Sequence, residues 1–221
     1  MKRISVVYSY RSNDQLLCTV DEMIRYGMEV VVVDDGSGEP YDSFYARLRE
    51  YGAEVLCLPM SLGKDEALKA GICKILEREN DECTLVTMDG TNPSATRDIF
   101  RVCIEAELNP GAIALGCRAK EKVARFTRRL GDTLTRLVVR LRSGIKVLDI
   151  QSALCAFSAQ VAARIVSLTG CPTAYEQAVL TVAAKAKIPL HELIIGPEDS
   201  LENASDRKGT RMQYLQTVKQ Q

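Results

Sequence analysis

The chain has 221 residues, a length typical of one globular domain, with 46% hydrophobic and 26% charged residues. Its 29 Lys and Arg balance its 29 Asp and Glu, so no overall basic charge favours nucleic acid as a partner. No apolar stretch approaches the length that spans a bilayer, and the N-terminus lacks the apolar core of a signal peptide. The eight cysteines lack CxxC spacing, which predicts reduced, mostly buried thiols in a cytoplasmic protein.

Apolar runs alternate with helical patterns through the first half of the chain. The intervening segments place apolar residues at helical spacing, as at Leu68, Ile72 and Ile75. This alternation predicts a doubly wound parallel sheet, whose ligands bind beyond the carboxyl ends of the strands. The strands are predicted from runs rich in Val, Ile and Leu at 4–8, 29–34, 54–58, 84–88 and 112–116.

The pattern changes after Gly116. A helical region at 121–142 has an apolar stripe flanked by arginines. From Pro197 the chain is polar, which predicts a mobile loop or tail. The other predicted elements are strand-like runs at 146–149 and 153–157, helices at 159–168 and 173–187, and a last strand at 190–195.

The run Asp34-Asp35-Gly36-Ser37 directly follows the second predicted strand. Carboxylates at the end of a buried strand can accept hydrogen bonds from a nucleotide base or ribose, and Gly36 permits a tight exit from the strand. An ordinary strand-to-loop turn explains the run equally well, because Asp, Gly and Ser are common turn residues.

A second polar run, Asp89-Gly90-Thr91-Asn92-Pro93, follows the fourth strand. Asp89 can ligate a divalent cation that bridges a diphosphate, since Mg²⁺ and Mn²⁺ favour hard oxygen ligands. The run also fits a helix N-terminus that begins at Pro93 or Ser94 and is capped by Asn92. Both interpretations can hold at once.

Together with Ser61-Leu62-Gly63-Lys64-Asp65, these runs resemble the motifs of the inverting family 2 glycosyltransferases in order and spacing. The second half resembles the polyprenyl-phosphate, dolichyl-phosphate mannose synthase-like branch through Gly116-Cys117-Arg118, Arg128-Arg129-Leu130-Gly131 and Asp149-Ile150-Gln151-Ser152. The resemblance implies an α/β protein of GT-A (Rossmann-like) fold, a three-layer α/β/α sandwich with a mostly parallel central sheet. It also implies a nucleotide-sugar-binding half at 1–117, an acceptor- or membrane-facing half at 118–196 and a polar tail at 197–221.

The resemblance implies transfer of a sugar from a UDP- or GDP-sugar to an acceptor, with polyprenyl phosphate as one candidate. Asp89 would be the ligand of a Mg²⁺ or Mn²⁺ cofactor. The implied catalytic residues are Arg118 facing phosphate, Asp149 beside the acceptor, and Glu176 as a base, although a glutamate at a helix start is equally expected from the helix dipole. The implied nucleotide-sugar-binding residues are Asp34, Asp35, Gly36, Ser37, Lys64, Asp89, Gly90, Arg128 and Arg129.

Several departures from the family pattern fall on these motifs. Thr91 stands where the family has a second aspartate, and a hydroxyl is a much poorer ligand for a hard dication than a carboxylate. Asp65 replaces a glycine of the Gly-Lys-Gly turn. The glycosyltransferase stays the leading hypothesis, and these departures add an alternative: a catalytically impaired GT-A protein that binds a nucleotide or a partner.

The segment from Arg118 to Lys146 contains ten Lys and Arg but only two acidic residues, Glu121 and Asp132. A basic amphipathic helix is typical of a surface on anionic lipid headgroups, which predicts peripheral attachment to the inner face of the membrane. The alternatives are a core-packing helix with a solvated charged face, or a contact with a membrane-anchoring partner or a second copy of the chain. Nucleic acid is not favoured, because the segment lacks interleaved aromatic residues.

Overall fold

A computed structural model of the chain describes residues 1–79, 83–118, 154–168 and 175–196. Within these ranges the strands are β1 Lys2–Ser9, β2 Glu29–Asp34, β3 Glu54–Cys57, β4 Cys83–Asp89, β5 Ile113–Arg118, β6 Cys155–Ser158 and β7 Leu190–Ile195. The helices are α1 Asp14–Arg25, α2 Asp42–Glu50, α3 Lys64–Arg78, α4 Thr96–Leu108, α5 Ala159–Leu168 and α6 Tyr175–Ala186, with a short 3₁₀ turn at Glu39–Tyr41.

The described strands form one sheet in the order β3-β2-β1-β4-β6-β5-β7. β6 is antiparallel to both of its neighbours, and the other described pairs are parallel. The chain winds from β1 outward through β2 to β3 and then returns to place β4 on the other side of β1. The topological switch point of the sheet therefore lies between β1 and β4.

Helices cover both faces of the sheet and make three layers. Successive residues of β1 point to opposite faces, so Val6 packs among α3, α5 and α6 while Val7 packs among α1, α2 and α4. Val6 and Val7 are both fully buried. The continuous apolar strands predict burial on both faces, and the α/β sandwich with a mostly parallel sheet is confirmed.

The start of α4 differs from the prediction. The helix begins at Thr96, after an extended Ala95, and no side chain caps it, so the predicted cap at Asn92 and start at Pro93 or Ser94 are wrong. The Thr96 hydroxyl instead donates to a Glu22 carboxylate oxygen of α1 at 2.6 Å. A tertiary hydrogen bond therefore anchors the start of this helix. The local sequence does not predict it, because Thr96 and Glu22 are 74 positions apart.

Several predicted features lie outside the described residues, namely the helix at 121–142, the strand at 146–149 and the tail at 197–221. Of the seven cysteines within the described ranges, all are free thiols and Cys83, Cys103, Cys117 and Cys155 are buried. No helix in the described part of the chain is both long and apolar enough to cross a membrane.

Candidate functional site

The polar runs that follow β2 and β4 meet on either side of the end of β1. Ser9, the last residue of β1, pairs with Asp34 at the end of β2, and Tyr8 pairs with Asp89 at the end of β4. Since these strands are parallel, Asp34 and Asp89 lie at the carboxyl edge of the sheet, at its switch point. This edge is where an open α/β sheet places its ligand crevice.

A buried cluster of hydroxyls holds the loop after β2. The Asp34 carboxylate accepts a hydrogen bond from the Ser37 backbone N–H at 3.0 Å. The Tyr45 hydroxyl hydrogen-bonds with the Ser37 Oγ at 2.8 Å and with the Ser9 Oγ at 2.9 Å. Burial raises the pKa of Tyr45, so its hydroxyl remains protonated. These contacts connect β1, the loop and α2, and they fix the orientation of the Asp34 carboxylate.

Asp35 is fully buried, and both of its oxygens accept hydrogen bonds from the turn before α3. Oδ1 accepts from the Leu62 N–H at 2.7 Å, and Oδ2 accepts from the Ser61 hydroxyl at 2.8 Å and from the Gly63 N–H at 3.0 Å. A buried carboxylate needs such partners to offset its lost hydration. Asp35 therefore orients this turn and α3 rather than projecting into the crevice.

Two glycines allow the site loops to approach each other closely. Gly36 has φ +71°, and a Cβ there would lie 2.6 Å from the Met60 carbonyl carbon. A Cβ on Gly90 would lie 2.5 Å from the Tyr8 carbonyl oxygen, which accepts a hydrogen bond from the Gly90 N–H at 2.7 Å. Both positions require the absence of a side chain.

Lys64, the first residue of α3, lies beside two other predicted site residues, Asp89 and Glu176. Its ammonium donates to a Glu176 carboxylate oxygen at 2.5 Å and lies 3.8 Å from Asp89 Oδ2. Burial alone lowers the pKa of Lys64, but the hydrogen bond to Glu176 and the charges of Glu176, Asp89 and Asp65 together raise it. A charged ammonium between two carboxylates therefore stands at the switch point.

Asp89 also contacts Thr91, which stands where the motif of the resembling family has a second aspartate. Asp89 Oδ1 accepts hydrogen bonds from the Thr91 N–H at 3.0 Å and from the Thr91 hydroxyl at 2.6 Å. Among the described residues, no three His, Cys, Asp or Glu side chains form a group that could hold a metal ion. Asp89 is therefore the one carboxylate that the run 89–93 offers a divalent cation, and its Oδ1 is already bonded to Thr91 while its Oδ2 faces the Lys64 ammonium.

The structure brings most of the predicted site residues to one edge. Arg118 ends β5, and Leu154 immediately precedes β6, so the two residues that flank 119–153 lie at this same edge. The predicted residues Arg128, Arg129 and Asp149 lie outside the described residues. Besides Arg118, the predicted residues found at the edge are Asp34, Asp35, Gly36, Ser37, Lys64, Asp89, Gly90 and Glu176.

Sequence reasoning missed the structural roles of three residues at the site. Asp65 accepts a hydrogen bond from the Tyr175 N–H and so attaches α6 to α3. Tyr45 organises the loop after β2, and Thr91 binds Asp89. Only Thr91 had a local signal, since a hydroxyl two residues after an aspartate can form such a turn. The other two contacts join distant segments.

The comparisons with known proteins support this architecture at the level of the fold. No protein-family model and no curated protein matches the chain. Among solved structures, glucosyl-3-phosphoglycerate synthase from Mycobacterium tuberculosis, in complex with Mg²⁺ and UDP, is similar with a TM-score of 0.60 and 19% identity. The match covers 90% of this chain and 74% of that one. The chain has a GT-A fold.

Two other structures with this fold extend the comparison. Mannosyltransferase PcManGT from Pyrobaculum calidifontis, in complex with GDP-Man and Mn²⁺, has a TM-score of 0.54 and 17% identity over 89% of this chain and 55% of that one. A 4-diphosphocytidyl-2C-methyl-D-erythritol synthase has a TM-score of 0.57 and 14% identity over 98% of this chain and 96% of that one. These similarities support the GT-A fold, but they do not support the polyprenyl-phosphate branch that the sequence suggested.

Proposed function

We propose that the chain is a glycosyltransferase that binds a UDP- or GDP-sugar at the carboxyl edge of β1, β2 and β4. The observation that carries this proposal is the meeting of Lys64, Asp89 and Glu176 at the switch point of a GT-A fold. Lys64 and Glu176 are 112 positions apart in the sequence, and their side chains hydrogen-bond beside the end of β4. A GT-A sheet places its ligand crevice at this point.

The two sides of the edge suit the two ends of a nucleotide sugar. The loop of Asp34 and Ser37 supplies a fixed carboxylate acceptor for the hydroxyl and N–H groups of ribose and base. On the other side, the Lys64 ammonium stands at the N-terminus of α3, and both favour phosphate. The diphosphate would therefore lie toward Lys64, with the base beyond the end of β2.

The proposed reaction is an in-line displacement at the anomeric carbon of the sugar. An acceptor oxygen forms the new bond to this carbon while the bond to the diphosphate oxygen breaks, and the nucleoside diphosphate leaves with the electron pair. Positive charge beside the departing diphosphate stabilises the transition state. A phosphate acceptor is already ionised, whereas a hydroxyl acceptor would need a base, and Glu176 is the residue proposed for that role.

The acceptor proposed is a molecule with a phosphate group. The basic segment between Arg118 and Lys146 supports an anionic acceptor, because it begins at the edge of the sheet where β5 ends. A structure of glucosyl-3-phosphoglycerate synthase in complex with phosphoglyceric acid is similar to this chain, with a TM-score of 0.61. Polyprenyl phosphate in an anionic membrane and a small soluble phosphoacid share this chemistry.

Calorimetry with UDP and GDP tests the donor site. We expect one of the two nucleotides to bind, and we expect Asp34→Asn to weaken binding by about tenfold, because it removes a charge-assisted hydrogen bond. Asn retains an acceptor for the Ser37 N–H, so the loop should persist. The matched control is Asp21→Asn, which removes a carboxylate that pairs with Arg25 on the surface of α1. Absence of binding of either nucleotide would overturn the proposed function.

Mass spectrometry of products tests the acceptor. The chain would be incubated with UDP-glucose or GDP-mannose and either 3-phosphoglycerate or vesicles that contain polyprenyl phosphate and anionic lipid. Glycosylation of one acceptor identifies the acceptor class, and co-flotation with the vesicles tests the predicted membrane surface. Nucleotide binding with no transfer to either acceptor would favour the alternative, a catalytically impaired binding protein.

A further inference from the structure

We propose that the Lys64 ammonium takes the place of a divalent cation at the diphosphate of the bound nucleotide. This inference rests on the proposed function and concerns the same site. It assigns to the single positive charge of one side chain the contact with the diphosphate that a Mg²⁺ or Mn²⁺ ion would otherwise make. The chain should then bind a nucleoside diphosphate without any added metal.

The first support is the state of the Asp89 carboxylate. Its Oδ1 already accepts two hydrogen bonds from Thr91, at 3.0 and 2.6 Å, and its Oδ2 faces the Lys64 ammonium at 3.8 Å. A Mg²⁺ ion at a diphosphate commonly binds through one or two carboxylates together with the phosphate oxygens, so it needs free lone pairs on those carboxylates. The described surroundings of Asp89 offer Thr91 on one oxygen and a positive charge near the other.

The second support is the position of Lys64 itself. Two carboxylates flank its ammonium, Glu176 at 2.5 Å and Asp89 at 3.8 Å, as carboxylates flank a bound metal ion. An ammonium has three N–H donors, and Asp89 is beyond hydrogen-bond length. The side chain of Lys64 is 27% exposed, so the ammonium keeps donors and access for a phosphate oxygen.

The third support is that this cation is built into the site before any ligand arrives. Asp35 fixes the turn at Gly63, which directly precedes Lys64, through a hydrogen bond of 3.0 Å. Asp65, which directly follows Lys64, bonds to the N–H of Tyr175 at 2.5 Å. The backbone on both sides of Lys64 is therefore fixed by buried or partly buried carboxylates. A dication at Asp89 would meet the positive charge of the Lys64 ammonium, which the Glu176 carboxylate holds at 2.5 Å.

Calorimetric titration of UDP and GDP in EDTA, and again in excess Mn²⁺, tests the inference. We expect the affinity of the wild-type chain to agree within about threefold between the two conditions. Lys64→Met should weaken binding by about 10- to 100-fold in EDTA, the range expected for loss of a hydrogen bond to a charged group. Lys64→Arg should retain most of the affinity, because it keeps the positive charge.

The control is Lys74→Met, on the same helix, which removes a lysine that pairs with Glu54 at 3.0 Å on the surface. Its affinity should equal that of the wild type, and thermal melts of all variants would show that each is folded. Binding that requires Mn²⁺ and vanishes in EDTA would overturn the inference and leave the proposed function standing. Absence of nucleotide binding in both conditions would overturn the proposed function itself.

Discussion

The carboxylate of Asp65 accepts a hydrogen bond from the backbone N–H of Tyr175 at 2.5 Å, so the second residue of α3 holds the first residue of α6. The neighbouring residues, Lys64 and Glu176, form the ion pair of the candidate site. Two adjacent contacts therefore join the N-termini of two helices. Asp65 stands where the family that the sequence resembles has a glycine, and its hydrogen bond to Tyr175 gives this departure a structural role.

We expect Asp65→Ala to lower the free energy of unfolding by about 1 kcal/mol. This is the typical cost of removing a side chain that accepts a hydrogen bond from a backbone N–H at a helix N-terminus. Urea unfolding followed by circular dichroism measures this change. The control is Glu66→Ala, which removes the next carboxylate of α3, an exposed one that pairs with Lys69 within the helix. That change should cost less than about 0.5 kcal/mol. Equal losses in the two variants would contradict the role given to Asp65.

The close approach at Gly36 gives a second prediction. Alanine at Gly36 would meet the backbone of Met60 and Ser61 at 2.6 to 2.7 Å, and it would also have to adopt φ +71°. Gly27 has a similar φ of +79° but nothing within 4 Å of its Cβ position. Gly27→Ala should cost about 1 kcal/mol from backbone strain alone. Gly36→Ala should cost about 1–3 kcal/mol more, because the loops must separate.

Urea unfolding of both glycine variants separates strain from steric overlap. Nucleotide affinity should fall in Gly36→Ala and remain unchanged in Gly27→Ala, since only Gly36 lies at the candidate site. If the two variants were equally stable, the close approach of Gly36 to Met60 would make no contribution to the free energy of unfolding.

The elements of this fold could be predicted because their signals are local. The strand at 190–195 and the helix at 159–168 have the predicted bounds, since a short apolar run and a 3.6-residue period each reside within one segment. Burial on both faces also follows from the four consecutive valines of β2. The direction of β6 could not be predicted, because apolar content does not record which way a strand runs.

The contacts that build the site could be predicted only in part. Parallel strands place their carboxyl ends at one edge, so the proximity of Asp34 and Asp89 follows from topology. The bond between Asp65 and Tyr175 spans 110 positions, and that between Lys64 and Glu176 spans 112. No spacing rule covers such distances. From the sequence, Asp65 is therefore interpreted as the loss of a glycine and not as a hydrogen-bond acceptor that joins two helices.

The hydroxyl of Tyr45 gives a third prediction. It hydrogen-bonds with Ser9 and Ser37 in a buried cluster, at 2.9 and 2.8 Å. Tyr45→Phe should lower the free energy of unfolding by about 1–3 kcal/mol, since it leaves buried hydroxyls short of a partner. The control Tyr26→Phe alters a side chain that is 72% exposed and should change stability little. Urea unfolding measures both, and an unchanged stability of Tyr45→Phe would show that the serines find other partners.

The phenol of Tyr8 lies beside the candidate site and gives a prediction on pH. Burial, followed by the negative charges of Asp35 and Asp89, raises its pKa from 10.0 to about 12. The folded protein therefore holds this proton more tightly than the unfolded chain does. The stability that Tyr8 contributes is fully present below about pH 10 and is lost as the pH rises toward about 12.

Tyr8→Phe removes this titration, so its free energy of unfolding should fall less than that of the wild type between about pH 9 and pH 11. Lysines and the other tyrosines titrate in both proteins, and the difference between the two slopes therefore isolates Tyr8. Urea unfolding at several pH values measures the slopes. Equal slopes in Tyr8→Phe and the wild type would mean that neither burial nor the charges of Asp35 and Asp89 raise the pKa of this phenol in the folded protein.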